Sequence, residues 1–122
     1  MNPRIKALWL EALRSKEYPQ TKGKLKTEEG YCCLGVLCDL YLKEHSKEWK
    51  PSDFIEDDEI LSYEIDAREN LTPESVVKWA ELPCDNPGVM FEDRDYVTDL
   101  TELNDSLNMN FEEIAAYIEN QL

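Results

Sequence analysis

The chain of 122 residues contains one histidine and four glycines, and several common active-site patterns are missing from it. His45 lies seven residues after Cys38, about two helical turns, which is too far for a direct cysteine–histidine hydrogen bond along one helix. No glycine-rich loop of the P-loop or dinucleotide-binding type is present. No apolar run approaches the roughly 20 residues that cross a bilayer, and the N-terminus lacks the apolar stretch of a secretory signal. These absences favour a cytoplasmic binding protein without a membrane partner over an enzyme.

The four cysteines, Cys32, Cys33, Cys38 and Cys84, do not show the paired spacing of structural zinc sites. Disulfides are disfavoured in the cytoplasm, so we expect free, buried thiols that act as small apolar side chains. The 27 acidic residues include no pair whose spacing marks an acid–base couple. We therefore predict no cofactor, no metal and no catalytic residue.

The length and the 42% apolar content predict one folded domain over residues 1–122. Asn2 and Pro3 begin a helix predicted over 2–16, and Asn110 with Glu113 has the spacing of a capping box that begins the last helix. Short strands are predicted between these terminal helices. The expected fold is a compact α+β domain in which the terminal helices pack with a small antiparallel sheet.

The inner part of the chain is less clearly patterned. Residues 31–42 could form a buried strand or helix, and we favour a helix from Cys33 to His45 in which Gly35 packs closely against a bulky neighbour such as Trp9. Thr72 and Thr98 are predicted to cap two further helices. Short strands are predicted at 54–55 and 60–65, around the acidic turn 56–59, and at 87–91.

The net charge of −14 is unevenly distributed. Residues 1–26 hold seven basic and two acidic residues, whereas residues 27–122 hold six basic and 25 acidic ones. The acidic part repels nucleic acid and anionic membranes, so we expect no direct nucleic-acid binding. The basic segment either holds a small anion or simply balances acidic neighbours in the fold.

The candidate ligand-binding residues come mainly from this basic segment. Lysines provide point charges for phosphate, Gly23 lets backbone amides approach a ligand, and tyrosine can stack on a base. On an alternating strand Lys22, Lys24 and Lys26 would share one face, although such lysines also protect an exposed strand edge. Asn104 and Asp105 form a polar pair between two predicted helices, and this pair either binds the ligand or marks a helix end. The predicted site comprises Arg14, Tyr18, Gln20, Thr21, Lys22, Lys24, Tyr31, Asn104 and Asp105.

Several segments together resemble a known group of proteins. They include Tyr18-Pro19-Gln20-Thr21-Lys22-Gly23, the run Tyr31-Cys32-Cys33-Leu34-Gly35-Val36-Leu37-Cys38-Asp39, Trp79-Ala80 and Leu103-Asn104-Asp105. In these segments the chain is similar to a family of small proteins found in bacteriophages and bacterial prophages. The resemblance implies a phage accessory protein in the host-cell cytoplasm, and it assigns no catalytic residue. Small phage proteins of this kind often counter host defence by masking a protein, mimicking DNA, or capturing or destroying a nucleotide signal.

The charge distribution and the resemblance together suggest three functions. The first is non-enzymatic sequestration of a small nucleotide-like immune signal, by a homo-oligomer that holds the ligand at a subunit interface. The second is an acidic protein-binding inhibitor or DNA mimic that blocks a host defence protein. The third, for which no motif is present, is a small phosphodiester hydrolase that uses carboxylates.

Overall fold

The terminal helices of this computed structural model, which describes residues 1–52, 62–91 and 97–122 and the backbone of 55–56 and 59–60, pack against each other. The helices in the described residues are α1 (Pro3–Arg14), α2 (Cys33–Glu44), α3 (Glu74–Ala80), α4 (Leu100–Asp105) and α5 (Phe111–Gln121). The strands are β1 (Lys26–Thr27), β2 (Gly30–Tyr31), β3 (Lys50–Pro51), β4 (Ile55–Glu56), β5 (Glu59–Ile60), β6 (Tyr63–Glu64), β7 (Gly88–Met90) and β8 (Val97–Asp99). The predicted α+β class is confirmed.

Both terminal helices begin where the sequence predicts. The Asn2 side chain accepts hydrogen bonds from the backbone N–H groups of Arg4 and Ile5, at 2.9 and 3.1 Å. At α5, Asn110 and Glu113 each accept a hydrogen bond from the other's backbone N–H, which completes the capping box. These contacts satisfy backbone donors that have no partner within the helix.

The apolar run 33–44 forms the central helix α2, as favoured from the sequence, and the helix is buried along most of its length. Trp9 of α1 donates its indole N–H to the carbonyl of Cys33 at 2.9 Å. Gly35 makes the expected close contact, but its partner is the backbone of Leu25 and not Trp9. Because Gly35 has no side chain, the backbone of α2 can approach the backbone of Leu25 closely.

Two of the predicted helix caps are wrong. Helix α3 begins after Pro73 without a side-chain cap, and the buried Thr72 hydroxyl has no hydrogen-bond partner among the described residues. Helix α4 is capped by Asp99, whose carboxylate accepts a hydrogen bond from the backbone N–H of Glu102 at 2.9 Å. Thr98 instead lies in β8, because the strand extends to the residue that caps the helix.

The largest sheet is antiparallel and has the strand order β2-β1-β6-β3. Lys26 is paired with both Tyr31 and Tyr63, and Tyr63 is paired in turn with Pro51. Residues directly opposite each other place their side chains on the same side of a sheet. These four side chains therefore form a row across one face.

The described residues also contain two smaller sheets. β4 pairs with β5, and β7 pairs with β8. The predicted strand 60–65 is wrong as one element, because Ile60 belongs to β5 and Tyr63–Glu64 to β6 of the larger sheet. Phe54, Leu61 and residues 57–58 of the predicted acidic turn lie outside the described residues.

The expectation that Lys22, Lys24 and Lys26 share one strand face is wrong. Strand β1 contains only Lys26–Thr27, and Gly23 turns the chain with a φ of 82°. The Lys22 ammonium contacts the Asn108 side chain, whereas the Lys24 ammonium lies 2.7 Å from the Glu69 carboxylate. The three lysines consequently reach different parts of the molecule.

None of the helices in the described parts of the chain has the length and apolar character needed to span a bilayer.

Candidate ligand-binding site

The most distinctive surface of the molecule is the row across the larger sheet. We define the tyrosine face as Lys26, Tyr31 and Tyr63 on the sheet together with Trp49, which precedes β3. The Lys26 ammonium lies 4.4 Å from the ring centre of Tyr63, 5.5 Å from that of Tyr31 and 5.9 Å from that of Trp49. A cation at such distances interacts favourably with the ring quadrupole, by about 0.5–1 kcal/mol at a partly exposed site.

A buried carboxylate fixes the aromatic residues at one side of this face. Asp39 of α2 is only 7% exposed, and it accepts hydrogen bonds from the Tyr18 hydroxyl at 2.6 Å and the Trp49 indole N–H at 3.1 Å. The Lys43 ammonium lies 3.1 Å from the same carboxylate and neutralises it. The Tyr18 ring packs edge-on against Tyr31 with their centres 5.0 Å apart. The face is therefore held in place before any ligand arrives.

Burial and the hydrogen bond to Asp39 raise the pKa of Tyr18 to about 12, and burial also raises the pKa of Tyr31. Both phenols remain neutral near neutral pH. They offer apolar ring surface and hydroxyl groups, without the negative charge that would repel an anion.

A depression of about 210 Å³ lies beside the tyrosine face and is lined in part by Pro19, Lys26, Tyr31 and Tyr63. Glu28 stands at its edge and accepts a hydrogen bond from the Tyr63 hydroxyl. Glu29 also lines the depression, which thus combines ring surface, one ammonium and two carboxylates. This chemistry suits a planar ligand that carries both hydrogen-bond donors and negative charge.

Four of the predicted site residues come together beside Tyr31, whose carbonyl accepts a hydrogen bond from the Thr21 N–H at 2.8 Å, between the segment after α1 and the end of α4. The Gln20 amide donates to the Asn104 side-chain oxygen at 2.8 Å, and the Asn104 amide donates to the Thr21 carbonyl and the Asp105 carboxylate. Asn104 is fully buried, and both polar atoms of its side chain bond within the protein. This cluster attaches residues 20–21 to α4.

The remaining predicted residues divide between the tyrosine face and separate surface contacts. Tyr18 and Tyr31 lie at the tyrosine face, whereas Arg14 pairs with Glu119 of α5 at 2.6 Å. Lys22 and Lys24 have the contacts with Asn108 and Glu69 described above. The structure therefore brings two subsets of the predicted site together and separates Arg14, Lys22 and Lys24 from them.

Sequence reasoning missed three residues of the site, namely Lys26, Trp49 and Tyr63. Lys26 alternates with Lys22 and Lys24 in the sequence but is not among the predicted site residues. Trp49 and Tyr63 are distant in sequence and reach Lys26 only through the pairing of β6 with β1 and β3. The available signal for Trp49 was a large aromatic residue within an otherwise polar segment.

The cysteines do not contribute to this site. Cys32, Cys33 and Cys38 are free and buried, as expected, whereas Cys84 is exposed, contrary to expectation. Burial raises the pKa of Cys32 to about 11 and those of Cys33 and Cys38 well above the ordinary value. No cluster of three or more histidine, cysteine, aspartate or glutamate side chains suited to a metal occurs in the described ranges.

Comparison with known proteins identifies a family but no characterised relative. Neither the curated proteins nor the solved structures include a match to the chain. One family model matches residues 1–122, the full length of the sequence. The chain therefore belongs to the family described as a domain of unknown function, DUF8296.

Proposed function

We propose that this protein captures a small nucleotide-like anion on the tyrosine face without chemically changing it. In the setting suggested by its resemblance to phage proteins, it would act in the host cytoplasm as an accessory protein that sequesters a nucleotide immune signal. A homo-oligomer with the ligand at a subunit interface would cover the open side of the depression.

The observation that carries the proposal is the position of the Lys26 ammonium over three aromatic rings. Arg14 and Lys24 each form an ion pair with a glutamate. Among the described residues, no carboxylate forms such a pair with Lys26. An aromatic ring stacks on any nucleobase with about 1–3 kcal/mol per base. A base stacked on Tyr63 or Tyr31 would place its phosphate within reach of the lysine.

Capture is favoured over turnover by the state of the groups that hold the aromatic rings. Asp39 has its oxygens occupied by Tyr18, Trp49 and Lys43, and the raised pKa keeps the Tyr18 phenol protonated. These residues fix the rings in place and offer neither a free base nor an activated nucleophile.

Calorimetry with a panel of cyclic nucleotides and ADP-ribose-type nucleotides tests the proposal. Wild type should bind at least one of them, and Lys26→Ala should weaken binding about tenfold, equivalent to about 1.4 kcal/mol. Lys6→Ala removes the same charge from α1, outside the depression, and should bind as wild type does. Mass spectrometry of the bound nucleotide should recover it unchanged. No binding by wild type, or equal binding by both variants, would overturn the proposal.

A second candidate, an acidic inhibitor or DNA mimic that blocks a host defence protein, is supported by the ion pairs of the basic segment. Arg4 pairs with Glu44 at 2.7 Å, in addition to the Arg14–Glu119 and Lys24–Glu69 pairs. Because these cations are already neutralised, the excess negative charge of the chain is available to a basic partner. A pull-down from host lysate at low salt should then retain a nucleic-acid-binding protein that excess DNA displaces. Recovery of no such protein would remove this candidate.

A further inference from the structure

A second and larger cavity adjoins the tyrosine face through Trp49. This groove has a volume of about 610 Å³, and the residues that line it include Tyr41, Leu42, Ile65 and Trp49. Tyr41, Leu42 and Ile65 are all buried by at least nine-tenths, so they provide an apolar floor. Trp49 also lies close to Tyr31, with ring centres 6.3 Å apart. Trp49 therefore lines the groove and also contacts the tyrosine face.

The rim of the groove carries charges of both signs. Lys47 and Lys50 lie on it together with three carboxylates, those of Glu48, Glu64 and Asp66. Neither lysine forms an ion pair with a carboxylate in the part of the chain that the structure describes. Free ammonium groups suit phosphate, whereas carboxylates accept hydrogen bonds from ribose hydroxyls and exocyclic amino groups.

The depression and the groove differ in the size of the ligand that each can hold alone. Pockets for complete small molecules usually have volumes of about 300–1,000 Å³, so the depression of about 210 Å³ is too small for one and the groove of about 610 Å³ is not. A ligand bound only at the depression would leave most of its surface in water. A ligand that crosses Trp49 would contact both cavities.

We propose that the natural ligand is a dinucleotide, with one base on the tyrosine face and the second nucleoside in the groove beyond Trp49. This proposal rests on the function proposed above and specifies the class of nucleotide. The phosphates that join the two nucleosides would pass Trp49, with Lys26 on one side and Lys47 and Lys50 on the other. The carboxylates that line the two cavities oppose the phosphates, so binding depends on contact with these three lysines. More distant acidic residues act only weakly, because salt screens charges beyond about 8 Å at physiological ionic strength.

Trp49 is the residue that both halves of this site share. Its indole N–H is held by Asp39 at 3.1 Å, so its ring is oriented in the free protein. Preorganised groups lose less conformational entropy when a ligand binds. The orientation of Trp49 therefore favours a ligand that contacts the groove and the tyrosine face at the same time.

Calorimetry with a cyclic dinucleotide and the mononucleotide of the same base tests this inference. Wild type should bind the dinucleotide at least about tenfold more tightly. The double variant Lys47→Ala/Lys50→Ala should lose that advantage and bind the mononucleotide as wild type does. Lys6→Ala/Lys16→Ala removes two charges from residues that line neither cavity and serves as the matched control. Circular dichroism confirms that the variants remain folded.

The possible failures are distinguishable. If wild type binds the mononucleotide and the dinucleotide equally, or if the groove variant retains the dinucleotide preference, the dinucleotide inference is wrong and nucleotide capture stands. If wild type binds neither, both proposals are wrong.

Discussion

Gly35 of α2 and Leu25, the residue before β1, meet backbone to backbone: a Cβ atom added to Gly35 would lie 1.8 Å from the Leu25 carbonyl oxygen. The same carbonyl accepts a hydrogen bond from the Cys32 N–H at 3.1 Å, and the Leu25 N–H donates to the Glu69 carbonyl at 2.7 Å. Leu25 is therefore fixed between α2 and the segment that follows β6. This contact positions Lys26, the next residue, on the tyrosine face.

Gly35→Ala should destabilise the protein by about 3 kcal/mol or more, since a methyl group placed against backbone has no flexible side chain to displace. Denaturant unfolding measures the change in free energy of unfolding. Gly23→Ala is the matched control, because its added Cβ meets no atom within 4 Å and only the φ of 82° is strained. That control should cost about 1–2 kcal/mol. An equal cost at both positions would contradict the close approach.

Ala67→Gly should stabilise the protein, whereas a change from alanine to glycine usually destabilises it. Ala67 has a φ of 64° and lies in a tight turn that Ile65 and Arg68 close through two backbone hydrogen bonds. Relief of left-handed strain offsets the greater entropy of an unfolded glycine, for a net gain of about 0.5 kcal/mol. Ala7→Gly, in the exposed interior of α1, should instead cost about 1 kcal/mol. Thermal and denaturant unfolding of both variants checks the opposite signs.

The Tyr18 phenol should lose its proton at a higher pH than an exposed tyrosine does. Burial and the hydrogen bond to Asp39 raise its pKa from 10.0 to about 12, so the folded state favours the neutral phenol. Its contribution to stability is present below pH 10 and is lost as pH rises through about 12. The phenolate absorbance of wild type minus that of Tyr18→Phe gives the titration directly. Ionisation of this residue near pH 10 would contradict the Tyr18–Asp39 contact.

The four thiols should react in two classes. Cys84 is exposed, whereas burial raises the pKa values of Cys32, Cys33 and Cys38 and shields them from reagents. A maleimide reagent should therefore label one thiol in the native protein and four after denaturation, as counted by mass spectrometry. Cys84→Ser should abolish the native labelling. Rapid labelling of a second thiol in the folded protein would contradict the burial of α2.

Local signals in the sequence were sufficient for much of the helical framework. Asn2 and Asn110 cap helices through contacts within a few residues, and most of the residues at 33–44 are apolar, which favours a buried element. The prediction of Thr98 as the cap is wrong because neighbouring Asp99 also has a capping side chain. Both residues are extended in β8, and sequence alone does not show which of them directly precedes the first helical residue.

The site was harder to predict because it depends on strand pairing across long sequence separations. Tyr31 and Tyr18 could be selected from the basic segment, but Tyr63 joins them only through the β1–β6 register. The prediction that the alternating lysines share one face is wrong because alternation implies a shared face only in a strand, and Gly23 turns the chain there. Partners such as Glu69 for Lys24 depend on tertiary packing that no local pattern records.

The most direct test of the account is a map of where a nucleotide contacts the protein. An NMR titration of isotopically labelled protein with a saturating cyclic dinucleotide would follow each backbone amide. Nucleotide capture on the tyrosine face predicts shifts concentrated at Lys26, Tyr31, Trp49 and Tyr63, with α5 unchanged, and recovery of the unmodified nucleotide afterwards. Absence of shifts, or shifts confined to α3 and α5, would contradict nucleotide capture on the tyrosine face.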